Sequence, residues 1–140
     1  MTAAPIPPAS EVAVRIDETG ELQVTTVVVD ATRATLQLRG EMDLSNADLL
    51  TAVLANQLSF GRHFIRLDVS RLGFLDCAGL RAIVLAHNDC LSARGVLVLA
   101  GATRSVTRLL AITHLDEALR VENETDRTPQ RSQRLAAVAP

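Results

Sequence analysis

Asp76-Cys77-Ala78-Gly79 sets a carboxylate, a thiol, a methyl group and a glycine in a row, directly ahead of a stretch with helical periodicity. A carboxylate in that place can cap a helix, accepting from the free N–H groups of Ala78 or Gly79. The helix end it closes carries orphan donors and partial positive charge, which suits an anion or a recognition surface. Those donors would favour ionisation of the Cys77 thiol and so a redox role, while the charge of Asp76 alongside opposes it. A docking surface, a phosphate seat, a redox thiol and an ordinary cap are the readings that these four residues leave open.

Other groups are more scattered. Asp43, Asp68 and Asp76 each fall at or just past the expected C-terminal end of a strand, where open α/β sheets bind ligands. No glycine-rich phosphate loop and no nucleophile–base pair accompanies them, so enzyme chemistry has little support. A small-ligand sensor of nucleotide type, using the strand ends near Asp68 and Gly101, is the alternative to a binding surface. His63, His87 and His114 show no ligand spacing. His87 lies on an apolar stripe and reads as a core histidine with one nitrogen satisfied. Cys90 falls near Ile83 on the helical wheel and reads as packing. Cys77 and Cys90 form no CxxC pattern, so neither a disulfide framework nor a metal site is implied. No cofactor is expected.

The elements that must position these groups follow from periodicity. Ile65, Leu67 and Val69 alternate as in a strand. Arg71–Leu75 reads as a tight loop. Leu80, Ile83, Val84, His87 and Leu91 then recur at helical spacing. Upstream, Val12, Val14 and Ile16 alternate weakly before a turn at Glu18-Thr19-Gly20. Leu22–Val29 and Ala34–Arg39 read as an antiparallel hairpin. Gly40–Leu44 reads as a loop, and Ser45 with Asp48 resembles a capping box. Leu50, Val53, Leu54 and Leu58 mark the inner face of a first helix, with Gly61 past its end. Downstream, Val96–Ala100 is continuously apolar, as in a strand covered on both faces. Thr103 caps a third helix with Val106, Leu109 and Leu110 inward, and Leu115–Val121 holds a helical turn and a last strand. The expected organisation is a disordered tail over 1–11, one domain over 12–121 and a polar tail over 122–140, where Arg134–Val138 has weak helical character.

Composition bounds the function. The 140 residues suffice for one domain with a modest core. Apolar residues make up 48% of the chain, so it can fold as a globule. Net charge is −2 and all 14 basic residues are Arg, without a basic run, so nucleic acid is not an expected partner. Aromatics at 2% leave no stacking platform for single strands. No signal peptide and no membrane-length apolar run is visible, so the expected location is the cytoplasm, with no membrane partner.

In order along the chain, several segments resemble one family. Leu38-Arg39-Gly40-Glu41-Met42-Asp43 before a helix resembles the L-x-G-E-L-D opening of STAS domains, the bacterial anti-sigma factor antagonists. Leu67-Asp68-Val69-Ser70-Arg71-Leu72-Gly73-Phe74-Leu75-Asp76-Cys77-Ala78-Gly79-Leu80 resembles their central signature, LDLSxVxFIDSSGL. Gly95–Leu99, Val106–Leu110 and the Leu115–Val121 ending match in order and spacing, so the resemblance runs from about Leu22 to Val121. It implies an α/β fold, a mixed sheet of four to five strands flanked by helices. It also implies binding to an anti-sigma factor of the histidine-kinase-like ATPase, serine/threonine kinase type. The implied partner-binding surface is Asp43, Asp76, Cys77, Ala78 and Gly79. In the family that kinase phosphorylates a Ser or Thr at the start of the second helix and thereby releases the antagonist. Here the acceptor position is Ala78, which has no hydroxyl. The resemblance therefore implies a regulator without the usual switch, controlled by synthesis, by Cys77 oxidation or by a hydroxyl such as Ser70 or Ser105. Self-association through the exposed edge strand of the hairpin, giving a homodimer, is also open.

Overall fold

The computed structural model describes residues 12–122. The expected N-terminal tail and, beyond Glu122, the expected C-terminal tail with its helical stretch lie outside the described residues. The elements follow as β1 (Val12–Ile16), β2 (Leu22–Val28), β3 (Arg33–Met42), α1 (Ala47–Ser59), β4 (Phe64–Leu75), α2 (Cys77–Ser92), β5 (Val96–Ala100), α3 (Arg104–Ile112) and β6 (Arg120–Val121). The strands form one sheet in the order β1-β2-β3-β4-β5-β6. Its first two pairings are antiparallel and its last three parallel.

The α/β class and the mixed sheet agree with expectation, but the sheet has six strands rather than four or five. The strands at the two edges, foreshadowed by the alternation over 12–16 and by the expected last strand within Leu115–Val121, bury little. Val12, Val14 and Ile16 of β1 are 55%, 52% and 57% exposed, so main-chain pairing rather than burial holds β1 on β2. The strand β6 has two residues. Beyond it, Glu122 N–H donates to Leu99 O at 2.8 Å and the Glu122 carboxylate pairs with Arg66 of β4.

From β3 to β6 each crossover steps one strand in the same direction. Right-handed connections then put α1, α2 and α3 on one face of the sheet. Leu22 and Val24, Leu36 and Leu38, Leu67 and Val69, and Leu97 and Leu99 are buried toward that face. The helices meet them with Leu50, Val53 and Leu54, with Leu80, Ile83 and Cys90, and with Val106 and Leu110. The alternate residues, Gln23, Thr25, Gln37 and Asp68 among them, stand on the opposite face.

Three local expectations need correction. Gly40–Met42 belongs to β3 rather than to a loop. Alternation of core positions runs through Gly40, whose φ is +106° and whose added Cβ would lie 2.0 Å from the Glu21 carbonyl oxygen, so the position shows no apolar side chain to read. Arg71–Leu75 likewise continues β4, with Leu75 opposite Met42. Two register shifts against β3 break its two-residue period, so the core residues run Leu67, Val69, Leu72. In α2 the buried stripe ends on Cys90, whereas Leu91, expected inward, is 52% exposed. A residue advances about 100° around the axis, enough to carry Leu91 out of the stripe.

Candidate functional site

The start of α2 is built as the sequence suggests. Asp76 has extended backbone angles, and its Oδ1 accepts from Gly79 N–H at 2.8 Å. Cys77 is exposed, Ala78 half-buried and Gly79 buried. Gly79 packs where a side chain does not fit: an added Cβ would lie 2.6 Å from Leu75 Cδ1 and 3.0 Å from Met42 O. Met42 O also accepts from Asp76 N–H at 3.3 Å. The end of β3 is thus fastened to the first turn of α2, which brings Asp43, one residue on, beside Asp76.

Asp43 is held by a different device from the expected capping box. The N-cap of α1 is Asn46, and no side-chain cap bond forms there. Instead Asp43 Oδ1 accepts from Ser45 N–H at 2.9 Å and Ser45 Oγ at 2.6 Å. Asn46 Oδ1 accepts from Asp43 N–H, and Asn46 Nδ2 donates to Glu41 O, both at 2.9 Å. Asn46 is 2% exposed. It is the positioning residue that sequence reasoning missed; the only signal was an amide side chain directly after Asp-Leu-Ser, a place suited to turns.

Two large apolar residues close in sequence to these strand ends are exposed. Leu44 is 81% exposed and Phe74 50%. A cavity of about 340 Å³ opens beside Phe74 and Leu75, closed on its far side by Arg104, Arg108, Leu109 and Ile112 of α3. Neither Leu44 nor Phe74 was singled out in the sequence, because an apolar residue next to a strand end reads as core.

The remaining candidates stand elsewhere. Asp68 does not join Asp43 and Asp76: it sits within β4, opposite Gln37 and Ala100, with Oδ1 accepting from Ser70 N–H at 2.9 Å. Continuation of β4 to Leu75 is what separates it from the strand end. Gly101 follows β5 and is buried. His63 and His87 are half-buried and His114 exposed, and no metal-competent cluster occurs among the described residues. His87 departs from expectation in that its buried Nδ1 has no partner. Cys77 and Cys90 are both free thiols. Thirteen residues apart on one helix they are separated by about 20 Å, too far for a disulfide. Burial pushes the Cys90 thiol up to about 12, with Asp89 adding to the effect. No helix among the described residues is long and apolar enough to cross a membrane.

Comparison with known proteins agrees with this architecture. Residues 22–128 match the model of the STAS domain. BtrV of Bordetella bronchiseptica, a candidate anti-sigma factor antagonist, is 37% identical over 62 residues, a stretch covering 44% of this chain and 53% of that protein. The match thus spans about half the length of that relative. The fold is similar to that of the anti-sigma factor antagonist SpoIIAA in its unphosphorylated form, with a TM-score of 0.65 and 15% identity over 82% of this chain and 97% of that one. The Bacillus cell fate determinant SpoIIAA in its phosphorylated form gives a TM-score of 0.58 and 15% identity over 74% and 94%. With most of the sheet, all three helices and the α2 start inside the matched span, the chain belongs to the STAS-domain family.

Proposed function

We propose that this chain is a cytoplasmic anti-sigma factor antagonist, acting on sigma-factor-dependent transcription by binding rather than by catalysis, and that its partner is an anti-sigma factor of the histidine-kinase-like, serine/threonine kinase type. The docking surface is Asp43, Asp76, Cys77 and Ala78, extended by Leu44 and Phe74; Gly79, expected in that surface from the sequence, is buried and instead seats the helix start against β3. The observation that carries this reading is the junction at Met42, which fastens the end of β3, leading to Asp43, onto the start of α2, with Leu44 and Phe74 exposed close in sequence to the two strand ends. Exposed apolar groups beside fixed charges are what a protein partner can desolvate and orient against.

Ala78 sets the mode of control. A phosphate would add about −1.5 to −2 charges at this helix end and expel a fitted partner. A methyl group accepts no phosphate, so the surface stays competent to bind.

Calorimetric titration of the full chain against each kinase-type anti-sigma factor encoded in its genome of origin tests this. The expected result is saturable binding to one of them, weakened by Asp43→Ala and Phe74→Ala; binding to none would overturn the reading. Ala78→Ser should become phosphorylated by the bound kinase with ATP. Mass spectrometry showing it unmodified while binding persists would mean that the acceptor position is misplaced.

A further inference from the structure

The sheet face opposite the three helices carries a polar cavity of about 360 Å³. Gln23 of β2, Gln37 and Arg39 of β3, and Asp68, Ser70 and Arg71 of β4 line it. A β-bulge brings the β4 residues together. Gln37 stands opposite Asp68 while Arg39 stands opposite Arg71, so β4 uses three residues where β3 uses two. Val69 and Leu72 stay in the core, and Ser70 and Arg71, neighbours in sequence, both open onto the other face. Bulges of this kind re-aim side chains.

The result is a cluster of two guanidinium groups and one carboxylate, with a net positive charge. Arg39 and Arg71 are cross-strand partners of like sign, an arrangement that costs energy. Among the described residues neither forms an ion pair; the pairs present are Arg33 with Asp30 and Arg66 with Glu122. The carboxylate inside the cavity, Asp68, turns one oxygen to the Ser70 N–H. Two guanidinium forks side by side fit an anion with several acceptor oxygens, and phosphate above all. Asp68 and the two glutamines remain to take hydroxyl groups. No aromatic ring lines the cavity, so nothing there stacks a nucleobase.

We propose that this cavity binds a phosphorylated polyol of the sugar phosphate class, with the phosphate between Arg39 and Arg71 and the hydroxyls on Asp68 and Gln37. The site is separate from the start of α2 and does not depend on the anti-sigma reading.

The test is a titration of the full chain followed by amide resonances, with inorganic phosphate, glycerol 3-phosphate, ribose 5-phosphate, glucose 6-phosphate and glucose as probes. Saturable shifts at Arg39, Ser70 and Arg71 are expected with the phosphates and none with glucose. At least one of the three esters should bind about fivefold tighter than inorganic phosphate, since its hydroxyls add hydrogen bonds. Arg39→Gln and Arg71→Gln should each weaken binding about tenfold. Should either fail to fold, the Lys variants, which keep the charge and lose the fork, should weaken it less but measurably. Asp68→Asn should leave inorganic phosphate bound and reduce the ester's advantage. Shifts that do not saturate, or that survive unchanged in the Arg variants, would overturn the site. Esters no tighter than inorganic phosphate would overturn the sugar phosphate assignment.

Discussion

Asp76 N–H donates to the Met42 carbonyl at 3.3 Å, across the join between the last residue of β3 and the cap of α2. Two segments more than thirty residues apart in sequence therefore meet at one end of the sheet, with Asp43 half-buried and Cys77 exposed just beyond it. The proposed docking surface depends on that join, which is tight at Gly79.

Gly79→Ala should destabilise the protein although the residue lies in a helix, where alanine is ordinarily favoured by about 1 kcal/mol. The added Cβ meets Met42 O at 3.0 Å and Leu75 Cδ1 at 2.6 Å. The leucine can rotate but the carbonyl belongs to the β3 ladder, so a net loss of about 1–3 kcal/mol is expected from overpacking. Urea denaturation gives the number; an unchanged or raised midpoint would mean that the join is slack.

Asp76→Ala removes the side-chain acceptor for Gly79 N–H and should cost about 0.5–2 kcal/mol. Asp76→Asn keeps an acceptor oxygen and should recover most of that. Thermal melts of the two variants beside the native protein distinguish capping from charge: equal losses would assign the effect to the charge.

Asn46→Ala should cost about 1–3 kcal/mol, because it leaves the Asp43 N–H and the Glu41 carbonyl without their partner. On the proposed function the loss should reach partner binding too, since Asp43 would no longer be fixed. Asn46→Asp keeps the acceptor for Asp43 N–H but sets a buried carboxylate against Glu41 O, and should be at least as destabilising as the alanine variant in urea denaturation. A variant as stable as the native protein would mean that Asn46 does not hold this turn.

The two thiols should behave oppositely. Cys77 is exposed and Cys90 buried, so a disulfide reagent at neutral pH should titrate one thiol in the native protein and two after denaturation. Cys90 also predicts an alkaline limit on stability. The folded chain holds that proton up to about 12, whereas the unfolded thiol releases it near 9.0. The unfolded state thus binds fewer protons between those values. Stability is unaffected below about pH 9 and declines above it by about 1.4 kcal/mol per pH unit. Cys90→Ala should flatten that slope; an equal decline in the variant would assign it to another group.

Reading the sequence alone located the start of α2, its Asp76 cap, the hairpin of β2 and β3 and the inner faces of α1 and α3, because each is fixed by local chemistry: a side-chain acceptor next to free N–H groups, or a repeat of apolar residues at the helical or strand period. It also located the packing role of Cys90. The extent of β3 and β4 escaped it. Gly40 offers no side chain to continue the alternation, and the register shifts in β4 change which residues face inward. Those shifts follow from pairing with a neighbouring strand, and no local pattern records them. Tertiary structure alone decided that Asp68 does not join Asp43 and Asp76, that Asn46 fixes Asp43, and that Arg39 and Arg71 are cross-strand partners on the open face. The first and last of these depend on strand order and register between segments distant in sequence, and the Asn46 bonds, though they span only three and five residues, depend on where β3 ends, whereas periodicity reports only which side of its own element a residue occupies.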